Sequence, residues 1–195
     1  MSIAAPAVPK WSVCPWWLLY AFDKRVRHLV QKPEQILQGL VRAGDTCLDI
    51  GAGFGYFTIP LARLAGPSGR VTAVDLQPEM LAQVRRRAEK AGLADRIRLH
   101  QADAASLRLD APADFALAFW MVHEIPDQRR FLDQLRAALK PGGHLALVEP
   151  KGHVGQAAFE RTIGIAEAAG FSRLRELHVF FSRGVLMAAP SGPPA

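Results

Sequence analysis

LDIGAGFG, residues 48–55, decides how the rest of the chain is read. An apolar run carrying one acid, Asp49, breaks into glycines at positions 51, 53 and 55. A strand that ends in glycines and runs on into a helix presents backbone N–H groups and a helix N-terminus to a ligand at the carboxyl edge of a sheet. Glycine lets such a turn close and leaves no Cβ where the ligand lies. The flanking sequence repeats the same rhythm. TCLDI (46–50) reads as a first strand, and residues 54–65 as a helix stopped by GPSG. VTAVD (71–75) is a second strand, followed by a helix over 78–91 with apolar positions 81, 84, 88 and 91 on one face and Gly92 as its cap. RIRLHQAD (96–103) is a third strand, and the nearly continuous apolar run at 113–121 is a central strand buried on both faces.

A helix over 127–139 shows Phe131, Leu132, Leu135 and Leu139 to the core and is ended by KPGG (140–143); HLALVEP (144–150) is the fifth strand. After a helix over 155–169, capped by Gly170, the rhythm changes. RLRELHVFF (173–181) and GVLMAAP (184–190) are separated only by Ser182 and Arg183, which calls for an antiparallel hairpin. The expected architecture is α/β: a three-layer, Rossmann-like domain with five parallel strands and a C-terminal hairpin. It spans residues 33–190, opening on a helix over 33–41. Residues 1–32 form an aromatic and basic helical appendage, and residues 191–195 a flexible tail.

Composition narrows the classes. The chain has 195 residues, half of them hydrophobic and 22% charged, enough for one well-cored domain and against disorder. The formal net charge of +6 permits an acidic partner, but the basic residues are dispersed apart from Arg85, Arg86 and Arg87 on an exposed helix face. Two cysteines, Cys14 and Cys47, supply neither a disulfide framework nor metal-ligand spacing, which fits a reducing, cytoplasmic setting. The longest uncharged apolar run, WSVCPWWLLYAF at 11–22, is too short to span a bilayer.

The glycine loop has companions. Asp75 closes the second strand, where a carboxylate can accept hydrogen bonds from both hydroxyls of a ribose, and Asp103 closes the third at the same sheet edge. A dinucleotide loop requires G-x-G-x-x-G, which puts the third glycine at 56; that position is Tyr56, and the glycine is Gly55. Tyr56 and Phe57 crowd the helix opening, and Asp49 suits an ammonium group better than a phosphate. The pattern describes a nucleoside with a cationic, amino-acid-like arm and no phosphate. S-adenosylmethionine meets that description.

On these residues the sequence resembles the class I S-adenosylmethionine-dependent methyltransferases, of the small-molecule type near the ubiquinone/menaquinone methyltransferases. LDIGAGFG resembles the first motif, VTAVDLQPEML the second strand with its ribose acid, and QADAASL the adenine loop. ADFALAFWMVHEIPD resembles the fourth strand and LKPGGHLALVEP the fifth. The resemblance implies a sheet of order 3-2-1-4-5-7-6. It implies Gly51, Gly53 and Gly55 against the methionine and ribose, Asp49 toward the amino group, and Asp75 on the ribose with Leu76 against the adenine. Asp103 would accept from the adenine amino group with Ala104 beside it, Phe119 would line the methionine side, and the Tyr56 ring would reach or cover the cofactor.

The implied activity is methyl transfer to a small, apolar or aromatic acceptor. His123, in WMVHEIPD, is a general base oriented by Glu124, or else pocket lining; Glu149 at the end of the fifth strand binds a substrate cation or caps a loop. Trp11, Trp16, Trp17, Tyr20 and Phe22 form an aromatic lid, a contact with a membrane surface, or a packed helix. Three other readings stay open: an NAD(P) oxidoreductase, a nucleoside-binding module without catalysis, and an RNA or protein methyltransferase. The first lacks a Tyr-x-x-x-Lys pair, and the last lacks an Asn/Asp-Pro-Pro-Tyr motif after strand four. Nucleic acid is therefore not the expected partner, no metal is expected, and the oligomeric state is left open.

Overall fold

A computed structural model describes residues 31–103, 106–109 and 112–192. The expectations for the aromatic segment at 11–22, for Cys14, for Ala104 and for most of the C-terminal tail lie outside the described residues. Within them the order is α1 (Pro33–Leu37), β1 (Thr46–Ile50), α2 (Thr58–Ala65), β2 (Arg70–Asp75), α3 (Pro78–Lys90), β3 (Ile97–Gln101), β4 (Ala113–Phe119), α4 (Gln128–Ala137), β5 (Leu139–Pro150), α5 (Gln156–Ala168), β6 (Ser172–Glu176) and β7 (Ser182–Ala188). Short 3₁₀ turns cover Ala94–Arg96 and Val122–Glu124.

The seven strands form one sheet in the order β3-β2-β1-β4-β5-β7-β6. The first five are parallel, β7 runs antiparallel to β5, and β6 antiparallel to β7. The sheet is buried on both faces. On one, Leu48, Ile50, Ala116, Ala118, Leu145 and Leu147 pack beneath Phe131, Leu132 and Leu135 of α4 and Phe159 and Ile163 of α5. On the other, Cys47, Val71, Phe115, Leu117 and Val148 pack beneath Leu37 of α1, Leu61 of α2 and Leu81 and Val84 of α3. β4 lies in the middle, and its alternate residues enter opposite clusters. That is why its sequence shows no polar alternation. Truncating a fully buried leucine such as Leu117 to alanine would cost roughly 2–5 kcal/mol.

Several boundaries differ from the sequence-based expectation, each for a local reason. The first helix stops at Leu37 rather than Val41, because Gly39 turns the backbone to φ +75°. The helix expected from residue 54 starts at Thr58, since Gly55 sits at φ +79° and a residue there cannot belong to a right-handed helix. KPGG does not merely end α4. It bulges inside β5, where the pairing slips from Ala113 with Leu139 to Phe115 with His144. Gly143 permits this: a Cβ there would lie 2.9 Å from the Lys140 carbonyl oxygen and 3.1 Å from that of Ala113.

The hairpin connection is also longer than two residues. β6 ends at Glu176, and residues 177–181 turn back with Leu177 and Val179 buried. Gly184 lets Leu177 close over it, with 2.9 Å between the Leu177 Cβ and the position a Gly184 Cβ would take. Cys47 behaves as a small hydrophobe, and burial among Asp45, Asp114 and Asp49 pushes its thiol far above the ordinary range. Among the described residues no helix is long and apolar enough to cross a membrane.

Candidate functional site

The parallel strands bring the ends of β1, β2, β3, β4 and β5 to one edge, and the sequence places its polar groups there. The three glycines of the β1 loop have different tasks. A Cβ on Gly51 would lie 3.0 Å from Met121 Cγ, so Met121 of the loop after β4 rests on Gly51. A Cβ on Gly55 would lie 3.3 Å from Val84, so Gly55 is where the loop packs on α3. Gly53, at φ +52°, has nothing within 4 Å of such a Cβ, and it is the glycine that leaves open space at the sheet edge.

Asp75 is joined to that open turn. Its Oδ2 accepts the backbone N–H of Gly53 at 2.9 Å, and its Oδ1 accepts that of Gln77 at 2.9 Å. Burial pushes its carboxyl above the usual carboxylate range, and the backbone N–H bonds only partly offset this. A carboxylate has about four acceptor sites, so two ribose hydroxyls can be accepted beside the two amides. Leu76 is half-buried, and its carbonyl accepts the Gln101 side chain at 3.3 Å. Asp103 is exposed, in a turn closed by backbone bonds with Ser106 and an ion pair to Arg108 at 3.0 Å.

Asp49 and Tyr56 face inward. Asp49 is buried and accepts the Thr58 hydroxyl at 2.5 Å, which ties the end of β1 to the first residue of α2. Tyr56 was expected to reach or cover the ligand. Instead its ring is buried edge-on to Phe57, and its hydroxyl donates to the Gln31 carbonyl. The physical reason is the delayed helix start: Tyr56 precedes α2 and turns into the core beneath it. Phe119 is likewise buried, with its ring centroid 4.3 Å from that of Phe57.

The loop after β4 is the most constrained part of the edge. Trp120 sits at φ +60°, a region costly for a residue with a large side chain, of order 1–3 kcal/mol. Three contacts hold it there. Its N–H donates to the Val148 carbonyl at 2.7 Å, its indole N–H donates to Ser182 Oγ at 3.0 Å, and its ring lies 5.3 Å from Phe119. This kink sends Met121 onto Gly51 and turns His123 toward β5.

There, Glu149 meets His123 twice. Oε1 accepts the His123 backbone N–H at 2.9 Å, and Oε2 lies 2.7 Å from Nδ1. Glu149 is 1% exposed and the His123 side chain 26%. The hydrogen bond to Glu149 raises the His123 pKa above its ordinary value, against the opposing effect of burial, with added charge from Glu149 and Glu124. Glu149 hydrogen-bonds His123 because β5 delivers its carboxylate beneath the loop, while Glu124, expected to orient the imidazole, adds charge from the same turn. Nothing in the sequence marked Trp120 or Met121, since a left-handed tryptophan has no signature of its own.

This geometry can be compared with known proteins. Residues 47–143 match the family model described as a methyltransferase domain. A solved S-adenosylmethionine-dependent methyltransferase from Aquifex aeolicus superposes with a TM-score of 0.80 at 26% identity, over 91% of this chain and 100% of its own. The chain belongs to the class I S-adenosylmethionine-dependent methyltransferases. The ubiquinone/menaquinone biosynthesis C-methyltransferase of Marinomonas sp. is 32% identical over 123 residues, 63% of this chain and 49% of its own length. The chain therefore spans about half the length of the curated relatives it matches. The [4+2]-cyclase SpnF shares this methyltransferase's fold, with a TM-score of 0.69 at 18% identity over 82% of this chain and 81% of its own. The fold by itself does not dictate the reaction.

Proposed function

We propose that this methyltransferase transfers the methyl group of S-adenosylmethionine to a small, apolar or aromatic molecule. The observation that carries the reading is the open turn at Gly53 bonded directly to Asp75. It offers a ribose-binding carboxylate beside a loop with no side chain in the way. The residues present fit the nucleoside. Asp75 accepts the ribose hydroxyls, Leu76 supports the adenine, and Asp103, once drawn from Arg108, accepts from its amino group. Gly51 and Gly53 border the methionine arm. Asp49, Phe119 and Tyr56 serve mainly by fixing the floor on which that arm rests.

When bound, S-adenosylmethionine supplies a methyl group already activated by its sulfonium. The protein's work is to align the acceptor and exclude water, which in well-oriented systems is worth roughly 7–11 kcal/mol. Trp120 and Met121 form the wall nearest the glycine loop, and His123 with Glu149 stands next to them.

The curated relatives are named for quinone biosynthesis and for C-methylation. A hydroxylated arene is accordingly the first acceptor to try, and it also suits the aromatic residues at 11–22. The placement expected for the enzyme is the cytoplasm. The experiment is mass-spectrometric detection of methylated product from 1,4-dihydroxynaphthalene and S-adenosylmethionine. A gain of one methylene mass, absent in Asp75→Ala, supports the reading. Cofactor turnover with no arene product would overturn the acceptor class.

A further inference from the structure

We propose that Glu149 is a positioning residue that holds His123 as a ready proton acceptor, with the proton on Nδ1 and the lone pair of Nε2 turned to the acceptor. The inference rests on the methyl-transfer reading above but is carried by its own geometry. A carboxylate accepts and does not donate when ionised, so the 2.7 Å contact with Nδ1 places a proton on that nitrogen. The second bond, from the His123 backbone N–H to Oε1 at 2.9 Å, fixes the main chain under the ring. Two bonds to one carboxylate set both the tautomer and the direction of the imidazole. A lone bond would set only one.

Three further facts agree. Glu149 is almost wholly buried, and a buried charge without a partner is expensive, so the pair is held together by more than its own attraction. The loop that carries His123 is entered through the strained Trp120, and strain of that kind persists only where the surroundings impose it. Met121, two residues before His123, lies on Gly51, so the imidazole stands on the loop that closes over the glycines. The titratable groups facing His123 are Glu149 from β5, Glu124 from its own turn, and His153, whose ring centroid is 6.1 Å away. Glu124 and Glu149 both favour the imidazolium, as a base that receives a proton requires.

The step balances on the acceptor. The methyl group would leave with its C–S bonding pair remaining on sulfur as a neutral thioether; on the acceptor the bond to hydrogen breaks, its electron pair stays to compensate for the methyl gained, and the proton becomes Nε2–H. Glu149 Oε2 then faces an imidazolium across the Nδ1–H bond. After product leaves, water removes the proton and the neutral tautomer returns.

The test is nitrogen-15 NMR of histidine-labelled full-length protein with S-adenosylhomocysteine, the His123 signal assigned by His123→Gln. The expected result is a neutral form protonated on Nδ1 and a midpoint above 6.5. In Glu149→Gln the midpoint should fall and the Nε2–H tautomer should appear; Glu149→Asp should keep part of the shift. A wild-type neutral form protonated on Nε2, or a midpoint unchanged in Glu149→Gln, would overturn the proposal. The wild-type tautomer decides the matter alone if Glu149→Gln does not fold. With 1,4-dihydroxynaphthalene, Glu149→Gln should lower kcat by about 100-fold, near the low end for general-base catalysis, with KM little changed. Calorimetry with S-adenosylmethionine on the same samples separates the two claims. The expected tautomer without heat would leave the pair standing and sink the methyl-transfer reading.

Discussion

The backbone N–H of Gly53 donates to Asp75 Oδ2 at 2.9 Å, so the middle glycine of the first loop and the acid that ends β2 act as one unit. A change in either is felt by the other. The consequences can be measured at each residue separately.

Asp75→Ala removes the acceptor for both ribose hydroxyls and for the Gly53 amide. Hydrogen bonds to a charged group contribute about 1.5–3 kcal/mol, so affinity for S-adenosylmethionine should fall by roughly ten- to a hundredfold or more. The pH dependence has a defined sign. Burial raises the Asp75 pKa, and only the ionised form accepts on all its oxygen sites. Affinity should be flat near neutrality and should fall on acidification through that raised pKa, above the ordinary carboxylate value. Binding titrations from about pH 4 to pH 7 check this.

Gly53→Ala and Gly55→Ala should fail differently. Both glycines have positive φ, so each substitution carries a left-handed cost of roughly 1–2 kcal/mol. At Gly53 the new methyl points into open space, where the ligand belongs, and binding should suffer more than folding. At Gly55 it meets Val84 at 3.3 Å, and the melting temperature should fall further. Val84→Ala should recover part of that loss in the Gly55→Ala background.

Tyr56→Phe deletes the hydroxyl that donates to the Gln31 carbonyl. The expected cost is about 1 kcal/mol of stability, read by chemical denaturation, with affinity for S-adenosylmethionine unchanged. A large loss of affinity with normal stability would restore Tyr56 to the ligand.

Far from the site, Asp114 ties β4 to β1 and β5. It accepts Lys140 Nζ at 2.8 Å on each oxygen and the Thr46 N–H at 2.9 Å. Burial would raise its pKa, but these bonds together lower it. A carboxyl held below its unfolded value stabilises the fold above that value, and the benefit is lost as pH falls through the folded one. The melting-temperature gap between the wild type and Asp114→Asn should therefore persist at neutral pH and close on acidification. Both partners are partly exposed, which limits the effect to about 1 kcal/mol.

Much of this architecture was legible from the sequence because its signals are local. The glycines at 51, 53 and 55, the acids at 75 and 103, and the two-sided apolar run at 113–121, of which 113–119 form β4, each follow from chain chemistry alone. The alternating rhythm and the hairpin fixed the layer count and the antiparallel edge. The misreadings came from long-range contacts. KPGG reads as a helix stop, but the pairing of β4 with β5 makes it a bulge. Glu124 adjoins His123 in sequence, whereas Glu149 reaches it from another strand. Tyr56 next to the glycines looked ligand-facing until the late start of α2 turned it inward. Nothing local signals the kink at Trp120, which depends on Val148 and Ser182.

The most direct measurement is titration calorimetry of the full-length protein with S-adenosylmethionine, and separately with NAD. The expected result is saturable heat from S-adenosylmethionine, reduced in Asp75→Ala, and none from NAD. Saturable heat from NAD with none from S-adenosylmethionine would contradict the assignment of the Gly53–Asp75 site to a phosphate-free sulfonium nucleoside.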